Sequence, residues 1–187
     1  MPVASDHASV TTRLNLGCGR MPAAGFINCD RRVGPGVDVC CDVTHGLPFG
    51  DGSVDAVVAV HLLQDLEWGA LAPALAECRR VLAAGGWLRV LVPDLDRALG
   101  AYRVRDHTYF YVRDGEARSI GAKLVTQIVW YGSVRTPMTQ DFLAEWLGRA
   151  GFLDVRRRAF GESGSADVLL ASLDNRPRES LCMEARA

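Results

Sequence analysis

The chain has 187 residues, 49% of them hydrophobic, and a net charge of −1 from 21 basic and 22 acidic residues. That length fits one domain able to bury roughly 70% of its unfolded surface, and the near-neutral balance offers no electrostatic footprint for nucleic acid. No run of about 18 apolar residues predicts a membrane span, and residues 1–12 read as a small, polar, flexible tail without the features of a secretory signal, so a cytoplasmic protein is expected.

From residue 13 to about residue 97, apolar runs alternate with helical stretches, which predicts a parallel sheet wrapped by helices. The expected strands are Arg13–Leu16, Phe26–Cys29, Val37–Cys41, Val54–Val60 and Trp87–Val92. The fourth is apolar after its first residues, as a strand covered on both faces must be. Before the fifth, Leu71, Leu75, Cys78 and Leu82 recur at helical spacing, and Gly85-Gly86 reads as the helix stop. Residues 97–135 read as an irregular insertion rich in aromatics, among them His107, Tyr109, Phe110, Tyr111, Trp130 and Tyr131. It is either a cap over a pocket or a small satellite core. A helix is expected at Gln140–Ala150 with Thr139 as its N-cap and Gly151 past its end, then strands at Leu153–Ala159 and Ser180–Ala185. The six cysteines form no C-x-x-C pair and read as small buried thiols.

The first strand breaks into Gly17-Cys18-Gly19, and an acid, Asp30, follows the second. Glycine lets a ligand approach backbone that a Cβ would shield. A carboxylate at the end of the next strand can accept both hydroxyls of a ribose. Together they predict an adenosyl cofactor at the carboxyl edge of the sheet. A dinucleotide site asks for a third glycine and an acid about 20 residues on. Here Gly19 is followed by Arg20-Met21-Pro22, and Asp30 comes 13 positions after Gly17. NAD fits poorly.

Taken in order, Leu14–Gly19, Gly25–Asp30, Asp42-Val43 with Leu47-Pro48-Phe49, Asp51–Asp55, and Arg80-Val81-Leu82 with Gly85-Gly86 resemble the class I S-adenosylmethionine (SAM)-dependent methyltransferases, in particular a small bacterial type-11-like group. The segments Leu173–Arg176, Glu179–Leu181 and Glu184–Arg186 resemble that group's C-terminus. The resemblance implies an α/β, Rossmann-like open sheet of about seven strands, mostly parallel with a reversed last strand, and helices on both faces. It implies one methyltransferase domain over 1–187 with SAM as cofactor. Leu16, Gly17, Cys18 and Gly19 would lie against the methionine part, Asp30 would hold the ribose, Asp42 and the Val43 N–H would take the adenine, and Val60 with His61 would border the sulfonium. The sequence departs from the pattern at Ala84, where proline is usual, and at Gln64-Asp65, where Glu-His is usual.

Methyl transfer from a sulfonium needs alignment, exclusion of water and, for O–H or N–H acceptors, loss of a proton. His61 is the candidate base, since it follows the fourth strand and imidazole titrates near neutrality; the other reading is a helix-start residue bonded locally. Asp65, four positions on, either orients it or is a solvated charge. His107 and Tyr109 are weaker candidates. His7 and His45 read as tail or loop residues, Arg156-Arg157-Arg158 as a solvated face. Asp94 and Asp96 lack the further ligands a metal site needs, so no metal is expected.

The expectation is therefore methyl transfer from SAM to an O or N atom of a small-molecule or glycan-like acceptor, with no nucleic acid and no membrane as partner. The alternative is a SAM-binding protein that transfers nothing: a scaffold, a sensor, or an enzyme using SAM as a bound charge. An RNA methyltransferase would show a basic face, which the charge balance argues against.

Overall fold

The computed structural model describes residues 11–187. Most of the expected tail, and His7 with it, lies outside the described residues. Seven strands form one sheet in the order β3-β2-β1-β4-β5-β7-β6. They are β1 (Arg13–Leu16), β2 (Ile27–Asp30), β3 (Val39–Cys40), β4 (Val54–Val60), β5 (Leu82–Pro93), β6 (Leu153–Arg158) and β7 (Ser180–Arg186). All neighbours pair in parallel except β7, which runs antiparallel to both β5 and β6. The expected open sheet with a reversed last strand is what the chain forms.

Strand alternation sorts the core into two layers. Leu14, Leu16, Val57, Ala59, Leu88, Val90 and Met183 face one side, where they pack on Leu71, Leu75 and Cys78 of α1 (Trp68–Val81) and on Leu143 and Leu147 of the helix Gln140–Arg149. Ala56 and Val58 face the other side and meet Phe26 and Leu170. That second face carries no α-helix among the described residues. Loops cover it, together with a 3-10 turn at Leu170–Leu173. Between β1 and β2 lie ten residues, with Pro22 among them, too few for a crossover helix.

In place of that helix the second face buries an ionic cluster. Arg89 of β5 is 0% exposed; it donates to Glu184 of β7 at 2.7 Å, to the Glu162 carbonyl at 2.9 Å and to both oxygens of Asp174. Burial works against the Arg89 charge, and Asp174 and Glu184 more than offset it. Glu184 also accepts from Arg158, Ser163 and the Gly164 N–H.

Gly85 and Gly86 do not stop the helix. It ends at Val81, Leu82 already has extended geometry, and β5 begins there. The glycines form a bulge, seen as a register shift where Val54 pairs Leu82 but Ala56 pairs Trp87. A Cβ on Gly86 would sit 3.0 Å from the Asp55 carbonyl. After β5, the segment expected to be irregular holds two helices, α2 (Leu95–Arg103) and α3 (Ile120–Val129), capped by Asp94 and Ser119. Ala101, Phe110 and Ile120 form its own small core. The helix Gln140–Arg149, α4, starts as the sequence predicts, with Thr139 accepting the Phe142 N–H at 3.2 Å. All six cysteines are free thiols, four of them buried. No helix among the described residues is long and apolar enough to cross a membrane.

Candidate cofactor and acceptor site

β1 turns sharply because both the Gly17 and the Cys18 N–H donate to the Cys29 carbonyl of the neighbouring strand, at 2.8 and 3.0 Å. Gly17 has φ +72°, and a Cβ there would meet the Leu62 side chain at 2.9 Å. Gly19, at φ +54°, faces open space. Beside this turn lies a cleft of about 910 Å³, within the range of small-molecule and cofactor sites.

Leu16, Gly17, Gly19, Asp30, Asp42, Val43 and His61 line the cleft. Two of the expected residues do not. Cys18 is 6% exposed beneath the turn, because its N–H bond to β2 draws it inward. Val60 falls on the opposite face of β4 and packs against the Phe26–Leu170 cluster. Its successors His61 and Leu62 form the wall in its stead. The sequence reading also missed Arg20, Arg31 and Thr44, which reach the cleft from connections without periodicity.

Asp30 accepts the Gly19 N–H on one oxygen and the Arg32 N–H on the other, both at 2.9 Å. A carboxylate has about four acceptor positions, so lone pairs are left for a diol. Asp42 accepts the Thr44 N–H at 2.9 Å and its hydroxyl at 2.7 Å. These bonds hold its carboxyl below the usual range and keep it an acceptor. The Val43 N–H donates to no group among the described residues. Glycine-lined space, a half-engaged carboxylate and an acceptor–donor pair fit the methionine, ribose and adenine parts of SAM.

His61 occupies a left-handed backbone position, φ +52°, rare for a residue with a Cβ. Its N–H bonds the Leu91 carbonyl at 2.8 Å, which fastens the end of β4 to β5. Nε2 lies 3.1 Å from the Ser180 hydroxyl, which itself donates to the Asn175 carbonyl at 2.8 Å. Nδ1 is buried without a partner among the described residues. Burial, with Arg176 nearby, lowers the imidazole to about 4. Asp65 lines the same cleft, and its bond is to Gln64, not His61.

Residues 14–90 match the protein-family model described as "Methyltransferase domain". No curated protein matches the chain. Among solved structures, a SAM-dependent methyltransferase from Archaeoglobus fulgidus superposes with a TM-score of 0.61 at 14% identity, covering 95% of this chain and 86% of its own. One from Mesorhizobium loti gives 0.53 at 16%, covering 95% and 90%. The 1,6-didemethyltoxoflavin-N1-methyltransferase of Burkholderia thailandensis, solved with bound 1,6-didemethyltoxoflavin and S-adenosylhomocysteine (SAH), gives 0.53 at 17%, covering 94% and 70%. Residues 14–90 thus resemble a methyltransferase domain, and the chain as a whole shares the fold of the SAM-dependent methyltransferases on which it superposes.

Proposed function

We propose that the protein transfers a methyl group from SAM to an O or N atom of a small-molecule or glycan-like acceptor. The observation that carries this is the pairing of Asp30 with the Gly19 N–H at 2.9 Å across the mouth of the glycine turn. It supports the reading, because Asp30 keeps lone pairs for a ribose diol beside the open space at Gly19. When bound, SAM supplies an electrophilic methyl group on a sulfonium. Leu16, Gly17 and Gly19 hold its methionine part, with Cys18 as backbone support; Asp30 holds the ribose, and Asp42 with Val43 the adenine. Val60 supports from behind the wall that His61 forms.

His61 is the residue assigned to the acceptor's proton. His61 lines the cleft with its ring held by Ser180 and neutral at neutral pH, which suits a group that shapes the place of the attacking atom. Its lowered basicity makes it a positioning partner more than a strong base, and alignment alone supplies several kcal/mol. Residues 97–135 form the acceptor side of the site. The weak basicity of His61 also favours the second reading, a protein that binds SAM without transfer.

Calorimetric titration with SAM and SAH, on the wild-type chain and Asp30→Ala, tests the cofactor; an acceptor screen for SAH formation then separates the two readings. Micromolar binding lost in the variant, followed by turnover, is the expected result. Failure of both ligands to bind would reject both.

A further inference from the structure

Beneath the two acids of the cleft lies a pair of thiols. Cys29 of β2 immediately precedes Asp30, and Cys41, just past β3, immediately precedes Asp42. The Cys41 N–H donates to the Asp30 carbonyl at 2.9 Å, and the Cys29 carbonyl accepts the Gly17 and Cys18 N–H groups. Both cysteines belong to the core layer that packs on α1. There the two thiols are hydrogen-bonded to each other. Cys29 is 0% exposed, whereas Cys41 is half-buried and lines the cleft.

The pair is asymmetric. Cys29 donates, which holds Cys41 below the ordinary thiol range against its own burial and the charges of Asp42 and Asp30. The same bond, together with burial, pushes Cys29 up. One thiol thus has thiolate character and a path to solvent, and the other is protonated, sheltered and in contact with it. A thiolate is the form of cysteine that peroxides oxidise, and an adjacent thiol resolves the product.

We propose that Cys41 is a site of peroxide oxidation that closes a disulfide with Cys29 and so weakens the hold of the cleft on its cofactor. The Cys41 sulfur attacks one oxygen of hydrogen peroxide, the O–O bond breaks, and a sulfenic acid and hydroxide result. The Cys29 sulfur then displaces the hydroxyl from Cys41. Its own proton leaves with that hydroxyl as water, and the S–S bond forms. Counting the proton that Cys41 sheds, two thiols are oxidised and one peroxide is reduced to two waters. Sulfurs in hydrogen-bond contact must approach by roughly 1 Å or more to reach a disulfide length of about 2.05 Å. The movement pulls on the residues just before Asp30 and Asp42, so both carboxylates shift together. Resting on the methyltransferase reading, this makes cofactor affinity depend on redox state, and bound cofactor disfavours the disulfide to the same extent.

The test uses the full chain carrying Cys40→Ser, so that two adjacent sulfurs are not confused, treated with hydrogen peroxide and read by peptide mass spectrometry. A Cys29–Cys41 link, slowed by SAH and undone by dithiothreitol, is expected. Calorimetry should give an SAH affinity about tenfold lower in the oxidised chain. Adding Cys29→Ser should leave the oxygen on Cys41. Oxygen on Cys41 without a link in the Cys40→Ser chain, a link elsewhere, or equal SAH affinity of the two redox forms would overturn the proposal and leave the transfer reading intact. A Cys29–Cys41 link in a chain that binds no SAH even when reduced would uphold the modification site and reject the transfer reading.

Discussion

The Asp30 carboxylate and the Gly19 N–H are joined at 2.9 Å, which ties the end of β2 to the loop leaving β1. One side chain thereby shapes the glycine turn and faces the cleft. Asp30→Ala removes both effects, so the affinity for SAM and for SAH should fall about 100-fold or more. Calorimetry with the two ligands checks this, and an unchanged affinity would move the ribose site elsewhere.

Gly17→Ala should act through the backbone. The position has φ +72°, and the added carbon would lie 2.9 Å from the Leu62 side chain. A loss of about 2 kcal/mol and a melting point lower by about 5 °C are expected. Gly19→Ala has strain at φ +54° but no clash, so it should cost less stability. A thermal melt of the two variants side by side reads the difference.

His61 should titrate in the folded protein near pH 4, against 6.5 for a free imidazole. Above 6.5 neither state binds the proton and the residue contributes nothing to pH dependence. As the pH falls from 6.5 towards 4, the unfolded chain takes up a proton that the buried ring refuses, so stability drops by about 3 kcal/mol. Below 4 the loss is complete. Imidazole NMR gives the midpoint directly, and a value near 6.5 would contradict the burial described for this ring.

Arg89→Met should destabilise the fold by about 3–5 kcal/mol, because Asp174 and Glu184 would remain buried without their counter-charge. Adding Glu184→Leu should recover part of the loss. Urea unfolding of the single and double variants measures both.

Much of the sheet was legible because its strands are short apolar runs, as strands covered on both faces must be. Arg13–Leu16 and Val54–Val60 lie where the residues predict, and Thr139 caps α4 as its hydroxyl suggests. The glycine turn and Asp30 were legible because each answers a local steric or hydrogen-bonding demand. Other features depend on distant chain. Ser180 and Asn175 reach His61 only because β7 inserts beside β5, which no spacing near residue 61 announces. Nothing in His61 itself reveals its burial or its unusual φ. Helices α2 and α3 were obscured by aromatics that fill a local core rather than a stripe facing the sheet.

The placement of β7 between β5 and β6 has a consequence for biosynthesis. β6 pairs only with β7, and the long flank of β5 is likewise open until residues 180–186 arrive. Arg89 must wait for the same stretch, since Asp174 and Glu184 are both made after it by 85 residues or more. A nascent chain that already has its complete glycine turn and Asp30 therefore still exposes two unpaired strand edges and an arginine with no place in the interior. Chaperone dependence, and losses to aggregation during translation, should be governed by the interval between synthesis of β5 and synthesis of β7.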